Sequence, residues 1–322
     1  MNHLSEKTLA LLDLPSEQRA LACMRPIFLF HPSAMVAEIG AQRLLQNPRC
    51  STGSNPCMSL IGHPGLGKSS LGARWAEKSA ISGTGWPGRM IYIDLIRNSS
   101  NLSIMKLFLA QIGELFYKRP FTLSYADVSK AKALIKEKNV VGVFIDEAPL
   151  LWRILKYAAL EKEIAAIKGL SGPDWQLNVI LSGTRAELDR LYECDGALYT
   201  RFMHREAELG SWRNDYEGES FVKGFMYYMP LKQQSIITPE LLVKLAEVSQ
   251  TRIKDNEKII TYWPRRAIAD HLREACRLEI ERGREYINAD SILEAQARML
   301  NAGSAAELLE RNLRIMEEVN ER

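Results

Sequence analysis

The sequence lacks the features that mark a membrane or secreted protein. No apolar run reaches the roughly 18 residues that a membrane-spanning helix needs, and residues Met1–Lys7 contain no apolar core like that of a secretory signal. The five cysteines are scattered and form no C-x-x-C pair, so neither a zinc site nor a disulfide framework is indicated. Together these absences predict a protein of the reducing cytoplasm.

The chain also lacks a strong charge of either sign. Its formal net charge is +3 over 322 residues, which neither requires nor excludes a nucleic-acid partner, so a DNA-binding surface would have to be a local patch. The length is enough for about two domains. Apolar residues make up 46% and charged residues 25% of the chain, values that are ordinary for a globular protein.

One glycine-rich motif carries most of the functional information. The stretch Gly62–Ser69 fits G-x-x-x-x-G-K-[ST]. The glycines of this motif let backbone N–H groups turn inward around phosphate oxygens. Lys68 is expected to reach the β- and γ-phosphates, and Ser69 to ligate Mg²⁺. The apolar run 57–61 before the motif predicts a strand, and 70–80 predicts a helix whose N-terminus favours anions. The predicted nucleotide-binding residues are Gly62, His63, Pro64, Gly65, Leu66, Gly67, Lys68, Ser69 and Ser70.

A second motif follows a continuous apolar run at residues 140–145. The run is typical of a central parallel strand and ends in Asp146-Glu147, at the edge where open α/β sheets bind ligands. We expect Asp146 to hold Mg²⁺ through water and Glu147 to orient and deprotonate an attacking water. Along the chain one further strand, 90–95, stands between the two motif strands. This spacing is typical of the P-loop class that has a strand inserted between its motifs.

The alternation of strands and helices predicts a doubly wound, parallel α/β sheet followed by an all-helical module. The predicted strands are 57–61, 90–95, 140–145 and 177–181, with an edge strand at 205–209. From residue 214 onward the pattern predicts only helices. The predicted divisions are an N-terminal helical extension at 1–50, the nucleotide-binding core at 51–213, a helical lid at 214–302 and a C-terminal helix at 303–322.

Two polar positions near the predicted phosphate site have competing interpretations. The strand at 177–181 ends in Ser182-Gly183-Thr184, where a hydroxyl could sense the γ-phosphate or simply cap the strand end. Within this fold Thr184 is our first choice and Ser182 our second. Arg201 lies between a predicted helix and the edge strand. As an exposed side chain it could reach a neighbouring subunit's γ-phosphate, or it could be an ordinary surface charge.

Two adjacent arginines open a helix of the second module. Arg265 and Arg266 follow Tyr262-Trp263-Pro264. One of them could contact phosphate from the lid side, and the alternative is an arginine that snorkels beside the tryptophan.

Taken together, these motifs resemble an AAA+ ATPase, and most closely the TniB/TnsC-type ATPases that regulate transposon target selection. The similarity spans roughly residues 25–300. It is carried by the glycine-rich motif, by Phe144-Ile145-Asp146-Glu147-Ala148, by the stretch from Val179 to Leu188, by Ala197-Leu198-Tyr199-Thr200-Arg201-Phe202, and by Phe221-Val222-Lys223.

The resemblance implies a complete set of functional roles. Such proteins bind ATP and Mg²⁺ between subunits, assemble as rings or filaments around duplex DNA, and link a target-selection factor to the transposase. By the same resemblance Arg201 acts in trans, Thr184 is the first sensor and Arg265 the second, while Phe30 or His31 lies near the adenine. The chain departs from many relatives at residues 251–258, where they have a glycine-rich turn, so the choice between Arg265 and Arg266 stays open.

If such an assembly encloses DNA, elements after the second strand should face it. Arg97, Lys106, Lys118 and Arg119 flank that region and would touch phosphates rather than base edges, giving salt-sensitive binding that is independent of sequence. The alternative for each is a solvent-exposed helix charge.

Two other functions remain compatible with the sequence. One is a signalling NTPase that uses ATP as a latch, against which the water-activating Glu147 argues. The other is an AAA+ motor or loader serving another process, such as replication or defence. The terminal stretch 305–322 predicts an amphipathic helix that is either solvated or a docking helix for a partner.

Overall fold

A computed structural model describes residues 3–47, 53–255 and 258–301. The predicted C-terminal helix at 303–322 therefore lies outside the described residues. The chain divides into two compact units, one formed by Phe30–Gly210 and the other by the residues up to Leu29 together with those from Ser211 onward. Among the described residues no helix is both long and apolar enough to cross a membrane.

The helices and strands follow the predicted order closely. The strands are β1 (Met58–Ile61), β2 (Arg89–Asp94), β3 (Val140–Asp146), β4 (Asn178–Gly183), β5 (Glu206–Glu208), β6 (Thr251–Asp255) and β7 (Lys258–Tyr262). The helices are α1 (Glu6–Leu9), α2 (Ser16–Ala22), α3 (Pro32–Leu45), α4 (Lys68–Ser79), α5 (Ile104–Tyr117), α6 (Tyr125–Glu137), α7 (Leu150–Ile154), α8 (Tyr157–Ser171), α9 (Arg185–Glu193), α10 (Gly196–Phe202), α11 (Tyr216–Met226), α12 (Pro239–Ser249) and α13 (Arg265–Arg282). Residues 289–301 are also helical.

The first unit is a parallel five-stranded sheet with helices on both faces. Its strand order is β2-β3-β4-β1-β5, and every described pair in it is parallel. All seven residues of β3 are buried, as its continuous apolar sequence predicts for a central strand. Helices α3 and α4 cover one face, and α5, α6 and α8–α10 cover the other. The prediction of a doubly wound parallel sheet is thus confirmed.

The strand between the two nucleotide motifs differs from the one expected. Strand β2 stands between β1 and β3 along the chain, yet it lies at the edge of the sheet beside β3. The strand inserted between β1 and β3 in space is β4. Chain order could not reveal this, because parallel strands joined by crossover helices need not be neighbours. As a result the end of β4 lies between the glycine-rich loop and Asp146-Glu147.

The second unit is built from both ends of the described chain. Helices α1 and α2 belong to it together with α11–α13 and residues 289–301. The Arg19 guanidinium makes a paired, buried contact with the Glu285 carboxylate at 2.5 and 2.7 Å. Nearby, the buried thiols of Cys23 and Cys276 lie 3.1 Å apart. The sequence placed residues 1–50 in one extension, whereas the structure divides that stretch between the two units after Leu29.

The module from residue 214 onward is not wholly helical. Strands β6 and β7 form an antiparallel hairpin, which begins in the stretch 251–258 where the sequence departs from many TniB/TnsC-type ATPases. The segments Thr251–Ile253 and Ile259–Tyr262 are rich in β-branched and aromatic residues, which suit a strand better than a helix.

Candidate nucleotide-binding site

The glycine-rich loop between β1 and α4 has the backbone conformation that phosphate binding requires. Gly65 and Gly67 adopt positive φ angles of 75° and 97°, values that side-chain-bearing residues rarely adopt. Gly67 is the N-cap of α4, and no side chain caps that helix. The first-turn N–H groups are therefore left for an anion, and the helix dipole favours one there. Ser69 and Ser70 are exposed in this first turn.

Lys68 is held inside the loop. Its side chain is buried, and its ammonium donates to the carbonyls of Gly62 at 2.7 Å and His63 at 3.3 Å. Burial lowers the pKa of Lys68, while the nearby carboxylates of Glu147 and Asp146 act in the opposite direction. A buried ammonium ringed by loop carbonyls, beside an open helix N-terminus, fits the triphosphate that the motif predicts.

Neighbouring hydrogen-bond donors orient the Asp146 carboxylate. Its carboxylate is buried and accepts hydrogen bonds from the Tyr92 hydroxyl at 2.7 Å, from the Glu147 backbone N–H at 3.1 Å and from the Ser182 hydroxyl. Burial, followed by the charge of Asp146, raises the pKa of Tyr92 well above its usual value, so the phenol remains a donor. Such an oriented carboxylate suits a Mg²⁺ ion bound through its water shell.

The sequence did not indicate a role for Tyr92. The residue lies on β2, two positions before that strand ends, and its ring stacks on Phe144 of β3 at a centroid distance of 5.7 Å. The sequence signal was a hydroxyl-bearing aromatic within the mostly apolar strand 90–95. An aromatic residue is common in strands for packing reasons alone, so its contact with Asp146 required the structure.

Glu147 adopts a backbone conformation unusual for its residue type. Its φ angle is 54°, in the left-handed region that costs free energy for residues other than glycine. Its N–H points back to Asp146 and to the Ser182 hydroxyl, 3.1 Å away, and its side chain is partly exposed. The turn thus presents one carboxylate to the interior and the next to the solvent side of the sheet edge.

The structure brings Ser182, rather than Thr184, to the carboxylate pair. The Ser182 hydroxyl contacts Asp146, and its carbonyl accepts from the N–H of Ala148 at 3.0 Å. The Thr184 hydroxyl donates to Glu187, 2.7 Å away, at the N-terminus of α9. Side chains two residues apart on a strand share a face, but β4 has ended before Thr184, and the chain has turned into a helix.

Arg201 is half-buried instead of exposed as the sequence predicted. Its guanidinium donates to the Lys168 carbonyl and to the Ser171 hydroxyl, the latter at 2.6 Å. Both residues lie in the last turn of α8, where carbonyls lack intrahelical partners and attract cations. In the single chain Arg201 therefore caps a helix, and a role at a neighbour's phosphate would require it to leave that position.

The arginine pair at the start of α13 is resolved into two different environments. Arg265 is buried and pairs with Glu217 at 3.1 Å, and burial lowers its pKa. Arg266 is largely exposed, its guanidinium 3.9 Å from Asp270. These contacts lie within the second unit.

The two residues suggested for the adenine also have local roles. The His31 imidazole is the N-cap of α3 and accepts from the Ala34 N–H at 3.3 Å. The Phe30 ring lies under the ammonium of Lys78, 4.5 Å from its centroid, and under the guanidinium of Arg74.

The four predicted DNA contacts fall into two pairs at opposite ends of α5. Arg97 and Lys106 are exposed where β2 gives way to this helix, and Arg97 pairs with Asp94 at 3.2 Å. Lys118 and Arg119 follow the end of the helix, about 20 Å away for 14 residues. Arg119 is already paired with Asp127 at 2.7 Å. A DNA backbone that contacts all four side chains would have to run along the length of α5.

Comparisons with known proteins identify the fold. No protein-family model and no curated protein sequence matches the chain. The ORC2 protein of Aeropyrum pernix, solved with ADPNP and ADP, matches with a TM-score of 0.61 and 13% identity over 87% of this chain and 72% of that chain. A Walker-type ATPase of Pyrococcus abyssi matches at 0.55 and 18% over 91% and 81%. The A. pernix ORC1 protein, solved in complex with DNA, matches at 0.55 and 14% over 87% and 69%.

The loop, the acidic pair and the strand order place the first unit among P-loop nucleotide-binding folds with a strand between their motifs. Among these folds, the structural comparisons match the chain to the AAA+ fold of the ORC and Cdc6 ATPases.

Proposed function

We propose that the protein is a Mg²⁺-dependent AAA+ ATPase that oligomerises on duplex DNA and regulates DNA transposition by linking a target-selection factor to the transposase. The observation that carries the ATPase proposal is the arrangement of Lys68 inside the glycine-rich loop with Asp146 and Glu147 at the end of β3. Transposition rests on the sequence resemblance to the TniB/TnsC-type regulators.

Each residue has a specific task in this proposal. Backbone N–H groups from Gly65 to Ser69 bind the phosphates, and Lys68 turns from the loop carbonyls to the β- and γ-phosphates. Ser69 and Asp146 hold Mg²⁺, which neutralises phosphate charge when bound. Glu147 orients the attacking water and accepts its proton. Ser182 fixes the Asp146-Glu147 turn, and Thr184 is the sensor that the resemblance indicates.

The neighbouring subunit completes the site. Arg201 leaves the end of α8 on assembly and stabilises charge on the neighbour's γ-phosphate. Arg265 or Arg266 contacts phosphate from the lid side. Arg97, Lys106, Lys118 and Arg119 contact DNA phosphates, so DNA retention should weaken as salt rises.

Turnover of the Glu147→Gln variant tests the catalytic proposal. We expect slow hydrolysis by the wild type, a loss of about 100-fold or more in the variant because the water loses its base, and unchanged binding of a fluorescent ATP analogue. Equal turnover by both proteins would remove Glu147 from its role and favour a nucleotide latch.

ATP-dependent retention on duplex DNA tests the assembly proposal. Electron microscopy with a non-hydrolysable ATP analogue should show rings or filaments on the DNA, and the protein without nucleotide should show none. Retention that is absent at moderate salt would contradict the proposal.

A loader in replication is the second candidate. The A. pernix ORC1 protein of the same fold was solved bound to DNA. An adjacent transposase gene, together with stimulation of purified transposase by the protein, would separate transposition from this alternative.

A further inference from the structure

Strand β5 leaves one side of its backbone open at the edge of the sheet. In its parallel pairing with β1, Ser59 donates to the Arg205 carbonyl at 2.9 Å and Leu209 donates to the Ile61 carbonyl at 2.8 Å. Because bonding residues alternate along a parallel strand, the N–H and C=O groups of Glu206 and Glu208 point away from β1. Within the described chain no strand pairs with that side.

A hollow lies beside this edge on the face of the sheet covered by α3. It has a volume of about 660 Å³, and its apolar floor consists of Val36, Ile39, Leu44, Met58 and Ala207. Val36 and Ile39 are 66% and 46% exposed, a large apolar surface to leave in water. We call this space the α3 hollow.

A second hollow lies beside the same edge on the opposite face, against α10. It has a volume of about 330 Å³ and is lined by Tyr192, Tyr199, Phe202 and Met203. The opposite placement follows from β1, where the Ser59 hydroxyl bonds the Tyr192 hydroxyl at 2.6 Å while the neighbouring Met58 side chain lines the α3 hollow. His204 and Glu206 border both spaces. We call this second space the α10 hollow.

The rim of the α3 hollow is positively charged. Arg43 and Arg205 are exposed there, and neither forms an ion pair with the described acidic residues. Glu206, the acidic residue at the rim, already pairs with Arg185 at 3.0 Å. The rim therefore favours a ligand that carries carboxylates beside its apolar groups.

We propose that the β5 edge binds an extended, acidic segment of a partner polypeptide, which adds a sixth strand to the sheet. An added strand would pair with the open groups of Glu206 and Glu208, and its successive side chains would point alternately into the α3 hollow and the α10 hollow. Hollows on both faces of one open edge fit a strand better than a helix, which would fill only one of them. The residues that line the two hollows lie outside the glycine-rich loop and the Asp146-Glu147 turn.

The probe is a fluorescein-labelled peptide of three Asp-Ile-Phe repeats, in which neighbouring Ile and Phe side chains face opposite hollows. Anisotropy should show saturable binding. The Ile39→Asp variant should bind at least about tenfold more weakly, because a carboxylate then replaces the apolar floor. Met35→Asp is the matched control, since Met35 is 52% exposed on the same helix but does not line the hollow. Its affinity should change less than about twofold.

Charge and backbone pairing are tested separately. The double variant Arg43→Glu, Arg205→Glu should no longer bind the acidic probe and should instead bind a matching peptide of Lys-Ile-Phe repeats. Two probes N-methylated on alternate residues should differ, because only one set of N–H groups faces β5. One methylated probe should bind as the parent does and the other should not.

Several results would overturn the proposal. Absence of saturable binding up to about 1 mM would exclude the site, and equal binding of both methylated probes would exclude strand pairing. If the wild type binds no peptide probe and the Arg43, Arg205 double variant loses DNA retention, the surface would be assigned to nucleic acid. A change in oligomer mass caused by Ile39→Asp but not by Met35→Asp would assign it to a second copy of the chain. Melting curves of all variants check that each folds.

Discussion

At the scale of single residues, the Asp146 site joins side chains from three strands. Tyr92 comes from β2, Asp146 itself from β3 and Ser182 from β4. The glycine loop and the acidic pair could be read from sequence because their spacing is local and their chemistry restricts the residue types. Tyr92 and Ser182 could not be assigned in the same way, because their roles depend on which strands are neighbours.

The Tyr92→Phe variant tests this positioning role. Removing the hydroxyl leaves one oxygen of a buried carboxylate without its donor, and a hydrogen bond to a charged group contributes about 1.5–3 kcal/mol. We expect hydrolysis to fall by about tenfold and the Mg²⁺ concentration for half-maximal activity to rise, while nucleotide affinity without Mg²⁺ stays the same. A variant at an exposed tyrosine of the same unit, Tyr125→Phe, is the control. An unchanged Mg²⁺ dependence would show that Tyr92 only packs.

At the scale of elements, the sequence predicted nearly every helix and strand of the first unit. Apolar runs indicated the buried strands, and the glycine-rich stretch Ser82–Gly88 marked the break before β2. The main difference is at residues 150–168, where the sequence pattern predicts one helix and the structure has two, α7 and α8. The neighbour relations of the strands were not encoded locally, and neither was the close approach of α4 to the sheet, where Gly72 meets the Phe144 ring.

The close approach of Gly72 to Phe144 predicts that alanine substitutions at two helix glycines have opposite effects on stability. A Cβ atom at Gly72 would lie 2.5 Å from the ring, whereas one at Gly169 in α8 would meet nothing within 4 Å. Gly72→Ala should therefore destabilise the protein by about 1–3 kcal/mol through overpacking. Gly169→Ala should stabilise it by up to about 1 kcal/mol, because alanine favours a helix. Urea denaturation measures both, and equal effects would contradict the packing argument.

The connection between α5 and α6 should respond to acid. Asp127 accepts hydrogen bonds from Arg119 at 2.7 Å and from the Thr122 N–H at 2.9 Å and hydroxyl at 2.8 Å, and these contacts hold its pKa well below the usual value. Since the folded pKa lies below the unfolded value of about 3.9, the stabilisation is complete above that pH and is lost as the pH falls through the folded pKa. Asp127→Asn should lower the melting temperature at pH 7.

The melting difference between wild type and Asp127→Asn should shrink steadily below about pH 4. Glu137→Gln, at the exposed end of α6, provides the control. A difference that persists at the same size down to about pH 2 would rule out the ionised carboxylate as the cause.

At the scale of the whole molecule, the second unit joins distant parts of the sequence. The Arg19–Glu285 pair spans 266 positions and has side chains only 3% and 11% exposed. Local patterns could not show this link, because a charged residue in a short helix looks like any surface residue in sequence. For the same reason, the extension predicted at 1–50 did not reveal that its two halves belong to different units.

Breaking this pair from one side should be costly. Arg19→Met leaves the buried Glu285 carboxylate without its bidentate partner, which typically costs about 3–5 kcal/mol. The double variant Arg19→Met, Glu285→Gln should recover much of that loss, since no buried charge remains. Chemical denaturation of the wild type, the Arg19→Met and Glu285→Gln single variants and the double variant gives the coupling free energy, with the exposed Arg97→Met as the control. If the free-energy change of the double variant equals the sum of the two single changes, the pairing is contradicted.

The division of the second unit between the chain's two ends has a consequence for synthesis on the ribosome. About 180 residues separate Leu29 from Ser211, and at about 5–20 residues per second their translation takes about 10–40 seconds. During that time Ala20 and Cys23, which pack in the core of the second unit, have no partner, while the α/β unit can already fold. A chaperone that binds nascent chains would therefore meet residues 3–29 before the rest of their unit has been made.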